Sequence, residues 1–239
     1  MLSRIRIVLC QPSHPGNIGA AARAMKTMGI AELRIIGGAS HRAPEALAMA
    51  ANSGDVLERA RLHANLDDAL GDCVAAFALS ARPREWAPRL LDVREAALQA
   101  AALAAGGPIA FVFGNETTGL SNEEMFACQY LVRIPTSAEF HSLNLAQAVQ
   151  VVVYELRMAA GISEPRGGAH QAATIGDLEG LYRHLEEAAQ SCGFLDPRDP
   201  KRLRERLRRL FSRASLEREE VNIIRGLLRA LTRQRDGSV

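Results

Sequence analysis

Short apolar runs alternate with helix-like stretches through the first 160 residues, and this alternation most restricts the fold. The runs have strand length and are apolar throughout, at residues 5–9, 33–36, 74–79, 109–113 and 130–134. The intervening stretches are helix-like and cover residues 17–28, 44–51, 92–105, 121–127 and 143–160. Strands without a polar face, separated by helices, indicate a parallel sheet covered on both sides. We therefore expect an α/β domain at residues 1–161.

A second, helical unit is expected beyond that domain. Residues 162–176 are rich in glycine and polar residues and lack an apolar period, which is typical of a linker. Residues 177–191, 201–211 and 216–232 have helical periodicity, so residues 177–239 form a predicted helical extension. Two apolar stripes at helical spacing are expected to be buried there: Leu203, Leu207 and Leu210, and Val221, Ile224, Leu228 and Leu231.

Positive charge is concentrated in the extension. The chain has a net charge of +2, but residues 195–239 hold 13 Lys and Arg against 7 Asp and Glu. This surplus favours a polyanionic partner such as RNA, although a solvated arginine-rich helix face would have the same composition. The candidate phosphate-binding residues follow each other at offsets of seven, four and four on one predicted helix: Arg218, Arg225, Arg229 and Arg233.

Targeting signals and metal sites are not indicated by the sequence. The first ten residues alternate polar and apolar, unlike a signal peptide, and no stretch approaches the roughly 18 apolar residues of a membrane span. The four cysteines are far apart and lack the spacing of a zinc site or a disulfide framework. We expect reduced thiols, no metal and a cytoplasmic location.

The first strand is followed by a loop and helix that read Ser13-His14-Pro15-Gly16-Asn17-Ile18-Gly19. The glycine spacing is GxxG rather than GxGxxG, which disfavours a dinucleotide-binding loop. Ser13 and Asn17 are both good N-cap residues. A capped core helix with a solvated Arg23 therefore explains this segment as well as a binding site does.

Two later segments place polar residues at strand ends. After the fourth run comes Gly114-Asn115-Glu116-Thr117-Thr118-Gly119, where a glycine would let backbone approach a ligand, or where a simple turn leads to a helix capped by Ser121. After the fifth run, Ser142 and Asn144 stand at the start of the long helix as caps or as ligand-binding groups. A hydrolase built on His141 and Ser142 is disfavoured because the G-x-S-x-G elbow is missing.

Taken in order, these three segments resemble the motifs of the SPOUT methyltransferases. The matching patterns are N-x-G-A-x-x-R-A from Asn17, F-G-x-E-x-x-G-L from Phe113, and I-P followed by S-L-N-x-A-x-A from Ile134. The carboxyl-terminal residues 207–214 and 222–226 are similar to the extension of bacterial tRNA (cytidine/uridine-32) 2′-O-methyltransferases. At Asn115 the sequence has asparagine, where that subfamily often has arginine.

The resemblance implies a tRNA ribose 2′-O-methyltransferase that uses S-adenosylmethionine. It also implies a trefoil knot late in the first domain and a homodimer. Arg23 matches the catalytic arginine and Asn17 the residue that orients it, Ser142 belongs to both the catalytic and the cofactor set, and Glu116 and Asn144 match structural motif positions. The implied cofactor-binding residues are Leu79, Ser80, Ala81, Gly114, Ile134, Ser142 and Leu143.

Two alternatives remain open at this point. The chain could methylate another tRNA or rRNA position, since its motifs specify the reaction more closely than the nucleotide. It could also be a knotted RNA-binding module without methyl transfer, which would not require Arg23.

Overall fold

The computed structural model describes residues 1–80, 88–137, 139, 142–161, 171–196, 198 and 202–236, with side chains as far as residue 232. Its centre is a seven-stranded sheet in which every pair of neighbouring strands is parallel. The strands are β1 (Ile5–Cys10), β2 (Glu32–Ile36), β3 (Arg61–His63), β4 (Ala75–Leu79), β5 (Arg89–Asp92), β6 (Ile109–Phe113) and β7 (Tyr130–Arg133). Across the sheet their order is β3-β2-β1-β6-β4-β7-β5.

Ten α-helices lie within the described ranges. Seven belong to the sheet domain: α1 (Pro15–Thr27), α2 (Pro44–Ala50), α3 (Gly54–Glu58), α4 (Leu66–Leu70), α5 (Val93–Leu103), α6 (Asn122–Phe126) and α7 (Leu145–Ala160). Three form the extension: α8 (Ile175–Ser191), α9 (Leu203–Ser212) and α10 (Arg218–Asp236). None of the helices in this part of the chain is long and apolar enough to cross a membrane.

The sheet is buried on both faces, as its apolar strands predict. In β1, Ile7 and Leu9 point into a core shared with α1, α5 and α7, whereas Val8 and Cys10 point into a second core on the other face. The larger side chains favour the first core, where the ring of Phe77 stacks between those of Phe111 and Tyr130 at centroid distances of 4.8 and 4.6 Å. The predicted parallel α/β domain is confirmed.

The sequence missed the two edge strands. β3 and β5 are three and four residues long and carry exposed side chains such as Leu62 and Leu90. An edge strand has one free flank and one weakly buried face, so it lacks the continuous apolar run that identified the five inner strands.

The end of the predicted linker belongs to the fold. Residues 162–170 lie outside the described ranges, but Ala173 is buried and Ile175 already begins α8. The Ile175 N–H donates to the Cys73 carbonyl at 2.6 Å, and the Ile175 side chain enters the second core of the sheet domain. This contact anchors the extension on the sheet domain.

Two of the predicted buried leucines in the extension are exposed. Leu210 is 51% exposed and Leu231 is 54% exposed, together with Ile223 and Leu227 of α10. The small core of the extension instead contains Val221 and Leu181, with the ring of Tyr182 tilted against that of Phe211. Periodicity identified the apolar faces of these helices. In a bundle of three helices, the neighbouring helices do not cover the full width of each apolar face.

One charged side chain is buried in the sheet domain. Arg34 of β2 is 2% exposed, and its guanidinium makes two parallel hydrogen bonds to the Asp72 carboxylate at 2.6 and 2.9 Å and a third to the Ala69 carbonyl. These contacts join β2 to the end of α4. The hydrogen bonds from Arg34 outweigh partial burial and lower the pKa of Asp72 to about 2.

Asp72→Asn should destabilise the protein because it removes the nearer counterion of the buried Arg34 charge and leaves only Glu32, at 3.7 Å. We expect a loss of about 2 kcal/mol, less than for a fully buried pair because Asp72 is half exposed. Since the pKa of Asp72 is lower in the folded state, its contribution is present at neutral pH and is lost as the pH falls toward 2. Urea unfolding at pH 7 measures the change, with the exposed Glu58→Gln as control. Equal midpoints for both variants would contradict the prediction.

Candidate functional site

A cleft opens at the carboxyl ends of three neighbouring strands, β6, β4 and β7. Its volume, with the open solvent at the mouth, is about 900 Å³. Ligands of open α/β sheets bind at this end of the strands. The cleft walls come from the strand ends, from residues 114–120 after β6, and from residues 142–148 at the start of α7.

Six of the seven predicted cofactor residues line this cleft: Leu79, Ser80, Gly114, Ile134, Ser142 and Leu143. The seventh, Ala81, lies outside the described residues. Sequence reasoning missed other lining residues, among them Phe113, Val132, Thr136, Leu145 and Ala148. Thr136 was detectable as a polar residue just after a strand, whereas the others look like ordinary core residues. That these residues bind the cofactor stays a prediction.

The Glu116 carboxylate joins two of the three motif segments. It accepts hydrogen bonds from the Ser13 N–H at 2.7 Å, the His14 N–H at 3.3 Å and the Asn17 side-chain amide at 2.8 Å. Partial burial works to raise the pKa of Glu116, but these hydrogen bonds outweigh it and hold the pKa below its usual value. A carboxylate is therefore fixed at the amino-terminal end of α1, where the helix dipole stabilises negative charge.

The third motif segment is tied in through Asn17 and Asn144. The Asn144 side-chain amide donates to the Asn17 Oδ1 at 2.8 Å, while its own oxygen accepts from the Ala146 N–H and caps α7. The series Glu116–Asn17–Asn144 thus links the loop after β6, the start of α1 and the start of α7. This agrees with the structural roles expected for Glu116 and Asn144.

The helix caps differ in part from those expected. Ser121 caps α6, and Asn144 rather than Ser142 caps α7. Neither Ser13 nor Asn17 caps α1, whose N-cap residue is His14 and has no side-chain cap. The Glu116 carboxylate caps the start of this helix instead. Glu116 is remote in sequence, so no local pattern could indicate this cap.

Asn17 does not contact Arg23, which corrects the expectation that it aims the guanidinium. Its amide donates to Glu116 and its oxygen accepts from Asn144. Arg23 lies further along α1, is exposed, and has no side-chain hydrogen bond or ion pair with any residue that the structure describes. It is also absent from the cleft lining. A single chain therefore does not bring the predicted catalytic arginine to the predicted cofactor site.

Gly114 is required by the protein itself. A Cβ at this position would lie 2.3 Å from the Gly119 carbonyl carbon and the Leu120 nitrogen. The sequence suggested that Gly114 lets backbone approach a ligand, but the first atoms in the way are those of the loop that closes the cleft. A side chain here would displace residues 115–120 before it met any ligand.

Asn115 holds the same loop against the end of β1. Its amide donates to the Gln11 carbonyl at 2.7 Å and the Ser13 Oγ at 2.6 Å, and its oxygen accepts from the Thr117 N–H. The asparagine that departs from the subfamily pattern thus has a full set of partners within the loop region.

The predicted arginine stripe of α10 is not one free surface. Arg218 lies 3.8 Å from Asp177, and the Arg225 guanidinium packs over Gly180 of α8. Arg229 is exposed, and the Arg233 side chain lies outside the described residues. The offsets placed these residues on adjoining faces of α10, but α8 covers part of that surface.

The described part of the chain has no cluster of side chains that could hold a metal ion. Cys10, Cys73 and Cys128 are buried thiols, and burial raises the pKa of each, that of Cys73 to about 12. They are unreactive at neutral pH. His141, the partner in the disfavoured hydrolase hypothesis, lies outside the described residues.

Comparison with known proteins gives consistent matches over the whole chain. The tRNA (cytidine/uridine-2′-O-)-methyltransferase TrmJ of Salmonella typhimurium is 43% identical over 99% of this chain and 100% of its own length, and that of Escherichia coli K12 is 42% identical over 100% and 99%. The crystal structure of TrmJ from Z. mobilis ZM4 has a TM-score of 0.83 at 29% identity and covers 95% of this chain and 98% of that one.

Two families account for the two units of the chain. Residues 176–238 match the tRNA methyltransferase TrmJ C-terminal domain, which corresponds to α8, α9 and α10. Residues 4–154 match the SpoU rRNA Methylase family and contain the sheet and the cleft. With this match and the full-length identity to the curated relatives, the chain belongs to the SpoU methylase family.

Proposed function

We propose that this protein is an enzyme that uses S-adenosylmethionine to methylate the 2′-oxygen of a pyrimidine ribose in tRNA. The observation that carries the proposal is that two of the motif segments line one cleft and the third is joined to them by the hydrogen bonds of Asn17 with Glu116 and Asn144. The names of the full-length relatives supply the reaction and the substrate class.

The cleft fits the methyl donor. Leu79, Ile134 and Leu143 offer apolar surface for a purine, and the backbone at the strand ends offers donors and acceptors for ribose and amino acid groups. When bound, S-adenosylmethionine supplies a methyl group activated by the positive sulfur. The residues of the cleft have only to bind and orient it, since transfer between two aligned reactants needs no further reactive group from the protein.

Arg23 is the group that we assign to the ribose side of the reaction. A guanidinium holds its protons too tightly to act as a base at neutral pH, so its role is to bind the neighbouring phosphate and stabilise negative charge on the 2′-oxygen. Asn17 acts indirectly, by holding the start of α1 against Glu116 and Asn144.

A homodimer would complete the site. Arg23 is exposed and does not line the cleft of its own chain, so it is free to serve the cleft of a second copy. α7, which packs against α1, exposes Tyr154 and Met158, four residues apart and therefore on one face. Such exposed apolar side chains, on a helix that packs against α1, favour a partner surface there.

The strand order favours the knot that the resemblance implies. β7 lies between β4 and β5, although β4 and β5 are consecutive along the chain. β7 comes later in the chain, so it must be inserted beside the segment that connects β4 to β5. An experimental trace of residues 80–88 and 134–144 tests whether the chain passes through that connection.

We expect nucleotide 32 of the anticodon loop to be the target, with the helical extension supplying tRNA affinity. A structure described as concerning the 2-OH methylation of C/U34 on tRNA is 27% identical, with a TM-score of 0.53, and covers 66% of this chain but 97% of its own. Mapping 2′-O-methyl groups in tRNA from a deletion strain decides the position.

Arg23→Ala should lower methyl transfer by about 100-fold or more, because one positioned charge is removed from the developing oxyanion. Affinity for S-adenosylmethionine should stay within a few-fold, since Arg23 does not line the cleft. Single-turnover methylation and calorimetry measure the two effects. Loss of cofactor binding by a folded variant would show that Arg23 is assigned to the wrong side.

Mixed dimers test whether Arg23 serves the other copy. In a mixed dimer, one chain carries Arg23→Ala and the other carries Leu143→Trp, which fills the cleft. This dimer keeps one intact site only if the arginine and the cleft of each site come from different chains. We then expect about half of the wild-type rate for the purified heterodimer, while both homodimeric variants are inactive. An inactive heterodimer would contradict a shared site.

Gly114→Ala should lower both stability and cofactor affinity, the latter about tenfold or more, because its Cβ forces residues 115–120 away from the cleft. Gly54→Ala is the matched control, since a Cβ there has no neighbour within 4 Å. Thermal unfolding and calorimetry measure both quantities. If the variant loses cofactor binding but keeps its melting temperature, the glycine is needed to make room for the ligand and not for the loop.

Glu116→Gln should cost about 1–2 kcal/mol of stability at pH 7, because a charged acceptor of three hydrogen bonds is replaced by a neutral amide. The pKa of Glu116 is lower in the folded state, so its contribution exists at neutral pH and fades as the pH falls below 4.5. The difference between variant and wild type should shrink accordingly. Urea unfolding at pH 7 and pH 4, with exposed Glu187→Gln as control, checks both statements.

A further inference from the structure

The arginines of α9 divide into two groups by the face that they occupy. Arg206, Arg209 and Arg213 follow each other at offsets of three and four, which places them on one side of the helix, and Arg202 is the residue that precedes its first turn. On the opposite side, Leu207 and Phe211 pack against the core of the extension.

Arg204 and Arg208 share one counterion on α8. Arg204 and Arg208 both form ion pairs with Glu179 of α8, and Arg208 also lies over the ring of Tyr182 at 5.2 Å. By contrast, the guanidinium groups of Arg202, Arg209 and Arg213 are exposed and have no ion pair with any residue in the described ranges. Positive charge on α9 is therefore directed away from the extension.

That charged side of α9 forms one wall of a groove. Glu205 and the paired Arg204 and Arg208 also line this groove. The opposite wall includes Asn122 and Phe126 of α6, and the space between the walls, with its open solvent, is about 2010 Å³. A groove of this width with arginines along one side matches a nucleic acid backbone, which carries one charge per phosphate.

The groove leads to the cleft. It shares Asp67, Glu123 and Ala127 with a neighbouring hollow, and that hollow shares Asn115 and residues 118–120 with the cleft at the strand ends. Adjoining hollows with shared walls therefore lie between α9 and the predicted methylation site. The carboxylates of Asp67 and Glu123 lie along it and would repel phosphates, which leaves α9 as the side that receives them.

We propose that this groove binds the phosphate backbone of the RNA substrate and that α9, rather than α10, is the principal contact. The inference rests on the proposed function, since it names the surface that brings RNA to the cleft. The exposed stripe of α10, Ile223, Leu227 and Leu231, is apolar and cannot attract phosphates. Two of its arginines are engaged with α8.

Charge reversal distinguishes the two helices. Arg209→Glu with Arg213→Glu should weaken binding of unmodified tRNA by at least about 30-fold and reduce the slope of log affinity against log salt by between one and two units. Arg218→Glu with Arg229→Glu on α10, the same change in charge, should lower affinity by no more than about threefold. Arg42→Glu with Arg59→Glu, two exposed arginines that do not line the groove, controls for the general effect of net charge.

The readouts separate this inference from the proposed function. S-adenosylmethionine affinity should be unchanged in all three variants. The melting temperature should be unchanged in the α9 and Arg42/Arg59 variants and lower in the α10 variant, where Arg218→Glu faces Asp177. Arg209→Gln with Arg213→Gln should give an intermediate loss of tRNA affinity at an unchanged fold. Wild-type tRNA binding in the α9 variants, or an equal loss in the α10 variant, would overturn the assignment of α9 while leaving methyl transfer intact. Failure of the wild-type protein to bind or methylate tRNA would instead overturn the proposed function, and this inference with it.

Discussion

The negative charge of Glu116 at the start of α1 is the interaction on which the rest of the site depends. Its carboxylate takes two backbone N–H groups and the Asn17 amide, and Asn17 in turn holds Asn144. A helix start leaves unpaired N–H groups and a positive dipole end, so a fixed carboxylate satisfies both. These partners lie about a hundred residues away in sequence. The contact that caps α1 therefore also holds the loop after β6, which forms a wall of the cleft.

Close backbone packing shapes the cleft as much as side chains do. Gly114 allows the loop to return within van der Waals contact of the strand end, and Asn115 ties that loop to the segment after β1. The two residues act on opposite sides of one short loop. Sequence variation at Asn115 is therefore a matter of how the loop is held, and a change there affects the cleft through position rather than through direct contact with the reacting atoms.

The extension contributes by its placement. Ile175 fixes the start of α8 on the sheet domain through Cys73, and α9 then faces α6. Glu179 forms ion pairs with two arginines of α9, and α8 covers parts of two arginines of α10. The net charge of the extension does not distinguish these arginines from the unpaired ones. Once paired charges are set aside, the unpaired ones concentrate along a groove that continues to the cleft.

By itself the sequence determined the parallel sheet, its five inner strands, the long helices and the three motif segments, two of which line the cleft, because apolar periodicity and strand-end glycines are local signals. Only the tertiary structure decided the edge strands, the carboxylate cap from Glu116, the buried Arg34–Asp72 pair and the separation of Arg23 from the cleft of its own chain. It also decided which arginines are free. These features depend on contacts between residues distant in the chain, and the period of a helix or strand contains no information about what packs against it.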